Sequence, residues 1–510
     1  MRHSMLTRLL CASVLLPLAS AGDSAFCDRV AANHGCCPAC GYTWDADKGS
    51  CITTQPARSA YCKELLQPEH SGCCMYCHNK WSRSEGKCVK ADDVHSEFIE
   101  EPDNLERGPN TTDPVAVARW MAKTLTWGVL STISTRKDGT TKGNAFGNPN
   151  SFADVNGVPY LYAADMDASM VDLFHGEGAR QRASLALSEA SLMNADGKPL
   201  IAACEIGNGQ YGDPENPPCA RLVLTGKVVK LKSTDPEGRA AQAALFKRHP
   251  SFSKMPAGHD FFVAKFELDG IWLISAYGGA KVIKPDDYFK GSSQTYRGGI
   301  VPPAREEPAP PRERIVSAPP SHRRALSSAK TARGLVKDLT WGVLSTVSTR
   351  ADGTSVGDAF GNPYSFADVD GVVYLFASDM DASMIDAFGA HGSPRANLAV
   401  SDASRTGKHS FLWKEKCQIG TILGDPENPP CARLVLSGGM SKVAKDSDEE
   451  KSAMKALLAR HPSFAHYPSG HGFYVAKLDI DGIWLIDFFG GAAVIEPADY
   501  FKASSESWIW

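Results

Sequence analysis

The feature that most limits what this chain can fold into is a long internal repeat. LTWGVLST at Leu125–Thr132 returns unchanged at Leu339–Thr346. FGNP starting at Phe146 returns at Phe360, DMDASM at Asp165 returns at Asp379, and GDPENPPCARLVL at Gly212 returns at Gly424. RHPSF at Arg248 and DGIWLI at Asp269 return at Arg460 and Asp481. Two copies of this length are a duplicated domain, not a solenoid of short units. They span residues 115–290 and 329–503.

Within a copy the pattern is mostly strand. Gly128–Arg136 is apolar and β-branched, and Lys137-Asp138-Gly139 supplies a turn. Asn144–Val155 reads as a second strand with irregular geometry at FGNP. Asn156-Gly157 is a hairpin signal before the strand Val158–Ala163. Ala168–Phe174 suits a short helix with Asp165 or Asp167 at its start. Arg182–Leu187 and Arg221–Leu231 are strands, and Asp235–Arg248 is a helix ending before His249-Pro250. Phe261–Leu268 and Ile271–Ser275 read as a hairpin turning at Asp269-Gly270. Many strands with two helices predict a mainly β, α+β fold: a closed or split barrel with peripheral helices, present twice.

The other segments are of a different kind. Residues 1–21 have a basic start, the short apolar stretch Leu9–Leu18 and Ala19-Ser20-Ala21, the pattern of a cleaved signal peptide. Ten of the fifteen cysteines fall in the head, residues 22–90: Cys27, Cys36, Cys37, Cys40, Cys51, Cys62, Cys73, Cys74, Cys77 and Cys88. They form two modules of five with matching spacing. Modules this small lean on disulfides for stability, and an oxidising compartment favours those over zinc. Zinc is the alternative, since Cys37-x-x-Cys40 and Cys74-x-x-Cys77 have ligand spacing. The pairing cannot be read from sequence, but if all ten pair, at least one bond crosses between modules. Residues 91–114 read as a linker carrying the sequon Asn110-Thr111-Thr112. Residues 291–328 are rich in Pro and Arg and read as a spacer, with Arg323-Arg324 as a processing candidate, and 504–510 is a tail. A net charge of -4 lacks the basic footprint of nucleic-acid binders, and no stretch is long and apolar enough for a transmembrane helix.

Each large copy resembles the CREG family of secreted glycoproteins. The residues that carry the resemblance are Trp127-Gly128, Val158–Leu173, Asp213 through Cys219, Arg248-His249-Pro250, His259 with Phe262, Ile271-Trp272, Gly278-Gly279 and Tyr288. Copy two repeats them at Trp341-Gly342, Asp425 through Cys431, Arg460-His461-Pro462, His471, Ile483-Trp484, Gly490-Gly491 and Tyr500. The resemblance implies a split barrel related to flavin-dependent pyridoxamine-phosphate oxidases, without flavin or catalysis, that dimerises and engages receptors or other proteins. The two copies are therefore expected to pack as an intrachain pseudodimer. A linker can raise the effective concentration of one for the other to the millimolar range.

Three residue groups invite a chemical reading. His249, His259, His461 and His471 have no nucleophile or carboxylate partner placed by sequence, so catalytic roles are not assigned. Cys204 with Cys219, and Cys417 with Cys431, recur at matching places and are expected to form one disulfide in each copy. For flavin mononucleotide, the phosphate needs basic groups or clustered N–H donors. The segment Asp165–Asp172 and its counterpart Asp379–Asp386 are acidic. No cofactor is therefore expected, and no metal either, because neither cysteine pair of the copies has a second pair nearby. If flavin did bind, Arg136, Ser169 and Arg182 in copy one and Arg350, Ser383 and Arg395 in copy two would hold it. The expectation is a non-catalytic secreted or endolysosomal glycoprotein that binds a protein or receptor. The alternatives are a flavin-dependent oxidoreductase and an extracellular adhesive protein acting through the head.

Overall fold

The computed structural model describes residues 31–34, 36, 42–48, 50–53, 73, 79–82, 87–90, 112–194, 197–232, 234–255, 257–291, 321–389, 394–406, 416–419 and 424–503. The chain divides into two compact units, Met1–Asp103 and Asn104–Trp510. The sequon at Asn110, the cleavage signature and the tail lie outside the described residues, as do Cys27, Cys37, Cys40, Cys62, Cys74 and Cys77.

In the first unit, β1 (Tyr42–Asp45) pairs with β2 (Ser50–Thr53), and β3 (Asn79–Ser82) pairs with β4 (Lys87–Lys90). Each hairpin is stapled within its own module, by Cys36–Cys51 and by Cys73–Cys88. Cys36 and Cys73 join the modules as an isolated antiparallel bridge. The Cys51 and Cys88 sulfurs approach to 3.4 Å.

The second unit holds both repeats. Copy one opens with α1 (Pro114–Thr124), whose N-cap Asp113 accepts from the Val115 N–H. It continues through β5 (Trp127–Ile133), β6 (Ala145–Ser151), β7 (Ala153–Val155), β8 (Val158–Ala163), α2 (Ala168–Met170), β9 (Arg182–Ser188), β10 (Arg221–Leu231), α3 (Pro236–Arg248), β11 (Phe262–Ile274), β12 (Lys281–Ile283) and α4 (Pro285–Lys290). The sheet order is β6-β5-β9-β10-β11-β8-β7, with β12 added to β11, and every pairing is antiparallel. Copy two repeats this order, opening with α5 (Ser321–Asp338). That helix takes in residues 321–328 of the Pro/Arg-rich segment, including Arg323-Arg324. The fold is thus two tandem split β-barrels with few helices. The helices α1 and α4 were not foreseen.

One expected turn is absent. Asp269-Gly270 does not reverse the chain. Residues on both sides pair with the same strand, Ile271 with Leu224 and Leu268 with Gly226, so Phe262–Ile274 is a single strand carrying a β-bulge at Asp269. Copy two does the same at Asp481 within Phe473–Ile486. The Asn156-Gly157 hairpin forms as expected, with positive φ at both residues. FGNP is regular strand. Pro149 is tolerated because β6 ends the sheet.

The central strands are buried on both faces, and alternate residues serve different cores. Leu130, Leu185, Leu187, Leu222 and Leu224 fill the interior of barrel one, as Leu344, Leu398, Leu434 and Leu436 fill barrel two. Between them point Val129, Ala186, Val223 and Trp272. These meet Val343, Ala399, Val435 and Trp484 in one shared cluster. Such two-sided burial is why Leu222-Val223-Leu224 reads as an unbroken apolar run. Trp127 stacks on its own counterpart Trp341, with ring centroids 6.1 Å apart, and Ser131 meets its counterpart Ser345 at 2.9 Å.

Candidate functional site at the junction of the repeats

The repeated motif GDPENPPC reaches from each copy into the other. Asp425 Oδ1 accepts from the Ser151 hydroxyl at 2.6 Å, and Glu427 accepts from the Ser151 N–H at 2.8 Å. Reciprocally, Asp213 Oδ1 accepts from the Ser365 hydroxyl at 2.6 Å and Glu215 from the Ser365 N–H at 2.9 Å. Arg433 donates to the Pro149 carbonyl and Arg221 to the Pro363 carbonyl. Residue i meeting j while the counterpart of j meets the counterpart of i is the pattern of an isologous contact.

His249 and His461 belong to this clasp. His249 caps the C-terminal end of α3, but its ring turns into the junction and is fully buried. Its Nδ1 lies 2.7 Å from Asp425 Oδ2 and its Nε2 lies 2.9 Å from the Phe152 carbonyl oxygen. A carbonyl can only accept, so Nε2 carries a hydrogen, and one further proton is shared between Nδ1 and the Asp425 carboxylate. His461 makes the same pair of contacts with Asp213 and Phe366. Both ring nitrogens are committed and neither meets solvent. The signal available in sequence was the repetition of both motifs, but nothing there placed the aspartate in the opposite copy. His259 and His471 are exposed, each ring 5.9 Å from a phenylalanine, Phe261 and Phe473.

The candidate phosphate-binding residues are largely engaged by the protein itself. Arg136 donates through Nε and Nη2 to both oxygens of buried Asp172, and Arg350 does the same to Asp386. Burial raises the Asp172 carboxyl despite Arg136. Arg182 pairs with Asp269 and, across the junction, with Asp358 at 2.6 Å. Arg395 pairs with Asp481 and reaches Thr141 across the same junction, where copy one has Asn144 in place of an aspartate. Ser169 and Ser383 are fully buried. Asp167 caps α2 by accepting from the Ser169 and Met170 N–H groups. Asp165 pairs with Lys230 and His175. Elsewhere in the two barrels, Cys204 is bonded to Cys219 and Cys417 to Cys431.

Beside the clasp lies an open groove of about 500 Å³, walled by both copies. Copy one supplies Arg136, Met166, Ser251, Lys254, Met255, His259 and Phe261; copy two supplies Glu427, Arg433, Trp484, Phe488 and Phe489. Phe488 and Met166 are among the most exposed large apolar side chains described. Burial, reinforced by Asp167 and Asp425, pushes Glu427 up to about 8 against the pull of Arg433.

Fold and junction together define a tandem split β-barrel protein whose repeats pack through reciprocal motifs. The CREG beta-barrel family model matches residues 109–290 and again 323–502. The chain belongs to the CREG family. It is 32% identical over 194 residues to Protein CREG1 of Gallus gallus, covering 36% of this chain and 91% of that protein. It is 33% identical over 180 residues to Protein CREG2 of Homo sapiens, covering 34% of this chain and 55% of that protein. A solved heme binding protein from Mycobacterium smegmatis aligns at 19% identity and a TM-score of 0.27, over 37% of this chain and 63% of its own. That likeness does not bear on function.

Proposed function

We propose that this chain is a non-catalytic CREG-type binding glycoprotein of the secretory pathway, extracellular or endolysosomal, whose barrels act as one intrachain pseudodimer that engages a protein or receptor. The observation that carries this reading is the commitment of its polar groups. His249 and His461, whose carboxylate partners come from the opposite copy, are fully buried with both nitrogens engaged. A general base must reach the proton it takes, and these two cannot. The pseudodimer is supported by the reciprocal clasp and by the apolar cluster to which both copies contribute. Exposed aromatic side chains at the junction, Phe488, Phe489, Tyr211 and Tyr277, supply the anchor residues typical of a protein interface. The signal-peptide pattern and the disulfides support an oxidising route for the chain. The sequon at Asn110 is the proposed glycan site.

A second reading, a flavin-dependent oxidoreductase, keeps one observation in its favour: the groove lies between the two barrels and Arg136 lines it. Against it, Arg136 is spent on Asp172. Titrating flavin mononucleotide into the cofactor-free protein separates the two. The binding-protein reading expects no saturable quenching of flavin fluorescence at micromolar concentrations. Micromolar or tighter binding would replace it with the oxidoreductase.

A further inference from the structure

The head brings two disulfides side by side. Cys36 is bonded to Cys51 in the first module and Cys73 to Cys88 in the second. The two bonds touch. Cys51 Sγ lies 3.4 Å from Cys88 Sγ, and the sulfurs of Cys36, Cys51 and Cys88 all fall within 4.8 Å of one another. The remaining ends are juxtaposed as well, because Cys36 and Cys73 are partners in an isolated antiparallel bridge. Residues directly opposite in such a bridge have Cα atoms about 4.5–5.5 Å apart and side chains on one face. That separation falls inside the range of about 4.4–6.8 Å that a disulfide spans. The same four sulfurs can therefore be joined in two ways, within the modules or between them.

Access differs along the quartet. Cys36, Cys73 and Cys88 are buried, whereas Cys51 is only half-buried and is the one a molecule from solvent meets first. Chain entropy separates the two pairings little. Each intramodule bond spans 15 positions and a Cys51–Cys88 bond would span 37, and the cost of loop closure grows only with the logarithm of length. The barrels hold no such arrangement, since Cys204–Cys219 and Cys417–Cys431 are buried and stand one to a copy.

We propose that the quartet is a thiol-exchange centre: a small-molecule thiol enters at Cys51 and turns the two intramodule bonds into Cys36–Cys73 and Cys51–Cys88, tying the hairpins β1–β2 and β3–β4 together covalently. Exchange starts from a thiolate and passes through a mixed disulfide. The incoming thiolate attacks Cys51 Sγ, forms the mixed disulfide there and expels the Cys36 thiolate. Cys36 Sγ attacks Cys73 Sγ across the bridge, makes Cys36–Cys73 and expels the Cys88 thiolate. Cys88 Sγ, which starts 3.4 Å from Cys51 Sγ, attacks it, makes Cys51–Cys88 and returns the thiol. Two disulfides break, two form and no electrons are gained or lost, so the thiol is a catalyst. This response of the head lies beyond the protein-binding role of the barrels.

The test incubates the full chain with reduced glutathione at about pH 8, where a sizeable share of a thiol is thiolate. Acid and a thiol-alkylating reagent then stop the exchange, and peptides are mapped without reduction. Trypsin releases Cys51 in residues 49–58 and Cys88 in residues 88–90, each with no other cysteine, so a conjugate of these two reports Cys51–Cys88 alone. In the untreated chain Cys51 should travel with residues 30–48 and Cys88 with residues 64–80. Under glutathione, loss of those conjugates should be matched mole for mole by gain of the Cys51–Cys88 conjugate, without a rise in free thiols. Brief incubation should trap glutathione on Cys51, and the barrel disulfides should stay unchanged. Cys51→Ser leaves Cys36 as a thiol, so Cys88 should become open to alkylation without glutathione. Persistence of the original pairs under glutathione, Cys51–Cys88 already dominant in the untreated chain, or its appearance only amid equal amounts of other pairings would overturn the centre. Glutathione trapped on Cys36, Cys73 or Cys88 in place of Cys51 would overturn the entry point. Cys88 still bonded to residues 64–80 in Cys51→Ser would overturn the transfer across the bridge.

Discussion

Replacing Asp425 by alanine removes one carboxylate from a buried pair. His249 sits 2.7 Å from Asp425 on one side and 2.9 Å from a carbonyl on the other. With alanine at 425 the His249 Nδ1, the Ser151 hydroxyl and the Glu427 N–H all lose the group they meet. Breaking a buried pair from one side costs about 3–5 kcal/mol. The loss of the Ser151 and Glu427 contacts as well places the cost toward the upper end. For large domains a kilocalorie moves the melting point by about 2 °C, so the expected fall is roughly 6–10 °C. Differential scanning calorimetry of the full chain reads it. Asp213→Ala removes the reciprocal pair with His461 and should lower the same transition by a similar amount, because each clasp ties both copies. A shift below about 2 °C, or a transition that splits so that each variant moves only one component, would refute the reasoning.

Glu427 sets a pH dependence. Its carboxyl is pushed up to about 8 from an ordinary 4.5, so the folded state holds this proton more tightly than the unfolded state. Its contribution to stability is therefore fullest below pH 4.5 and is lost as pH rises toward 8, and Glu427→Gln should flatten that slope in urea unfolding series between pH 5 and 8. Gly157 has φ near +90°, and a Cβ there would fall 1.4 Å from Arg119 Nη1. Gly157→Ala should destabilise by more than about 1 kcal/mol, measured by the same unfolding series. In the head, non-reducing peptide mapping should recover Cys36–Cys51 and Cys73–Cys88 as linked pairs.

Much of the architecture could be read from the sequence because the repeat is long and its strands carry strong patterns. Asn156-Gly157 announced its hairpin through turn chemistry, and of the two aspartates offered as a helix cap, Asp165 and Asp167, the structure uses Asp167. Asp269-Gly270 misled because a bulge and a hairpin call for the same residues; only the pairing of both flanks with Arg221–Leu231 separates them. The helix α1 begins at Pro114, the last residue assigned to the linker, and its burial against barrel one comes from residues distant in sequence. The junction was hidden for a related reason. GDPENPPC and RHPSF were visible as repeated words, but Asp425 lies 176 positions from His249. Local chemistry does not reveal a partner at that distance. The arginines proposed for a phosphate were read without their carboxylates, Asp172 and Asp386, which fold back from a neighbouring helical turn.

The central claim is that the copies are held by their own junction and not merely by the tether. A specific protease site introduced between Pro302 and Pro311 allows the tether to be cut in the folded protein. Size-exclusion chromatography with light scattering then measures the mass of the product. The account predicts that the two cut fragments co-elute as one particle of the original mass and separate only in denaturant. Two independent peaks in native buffer, each with the mass of one fragment, would contradict it.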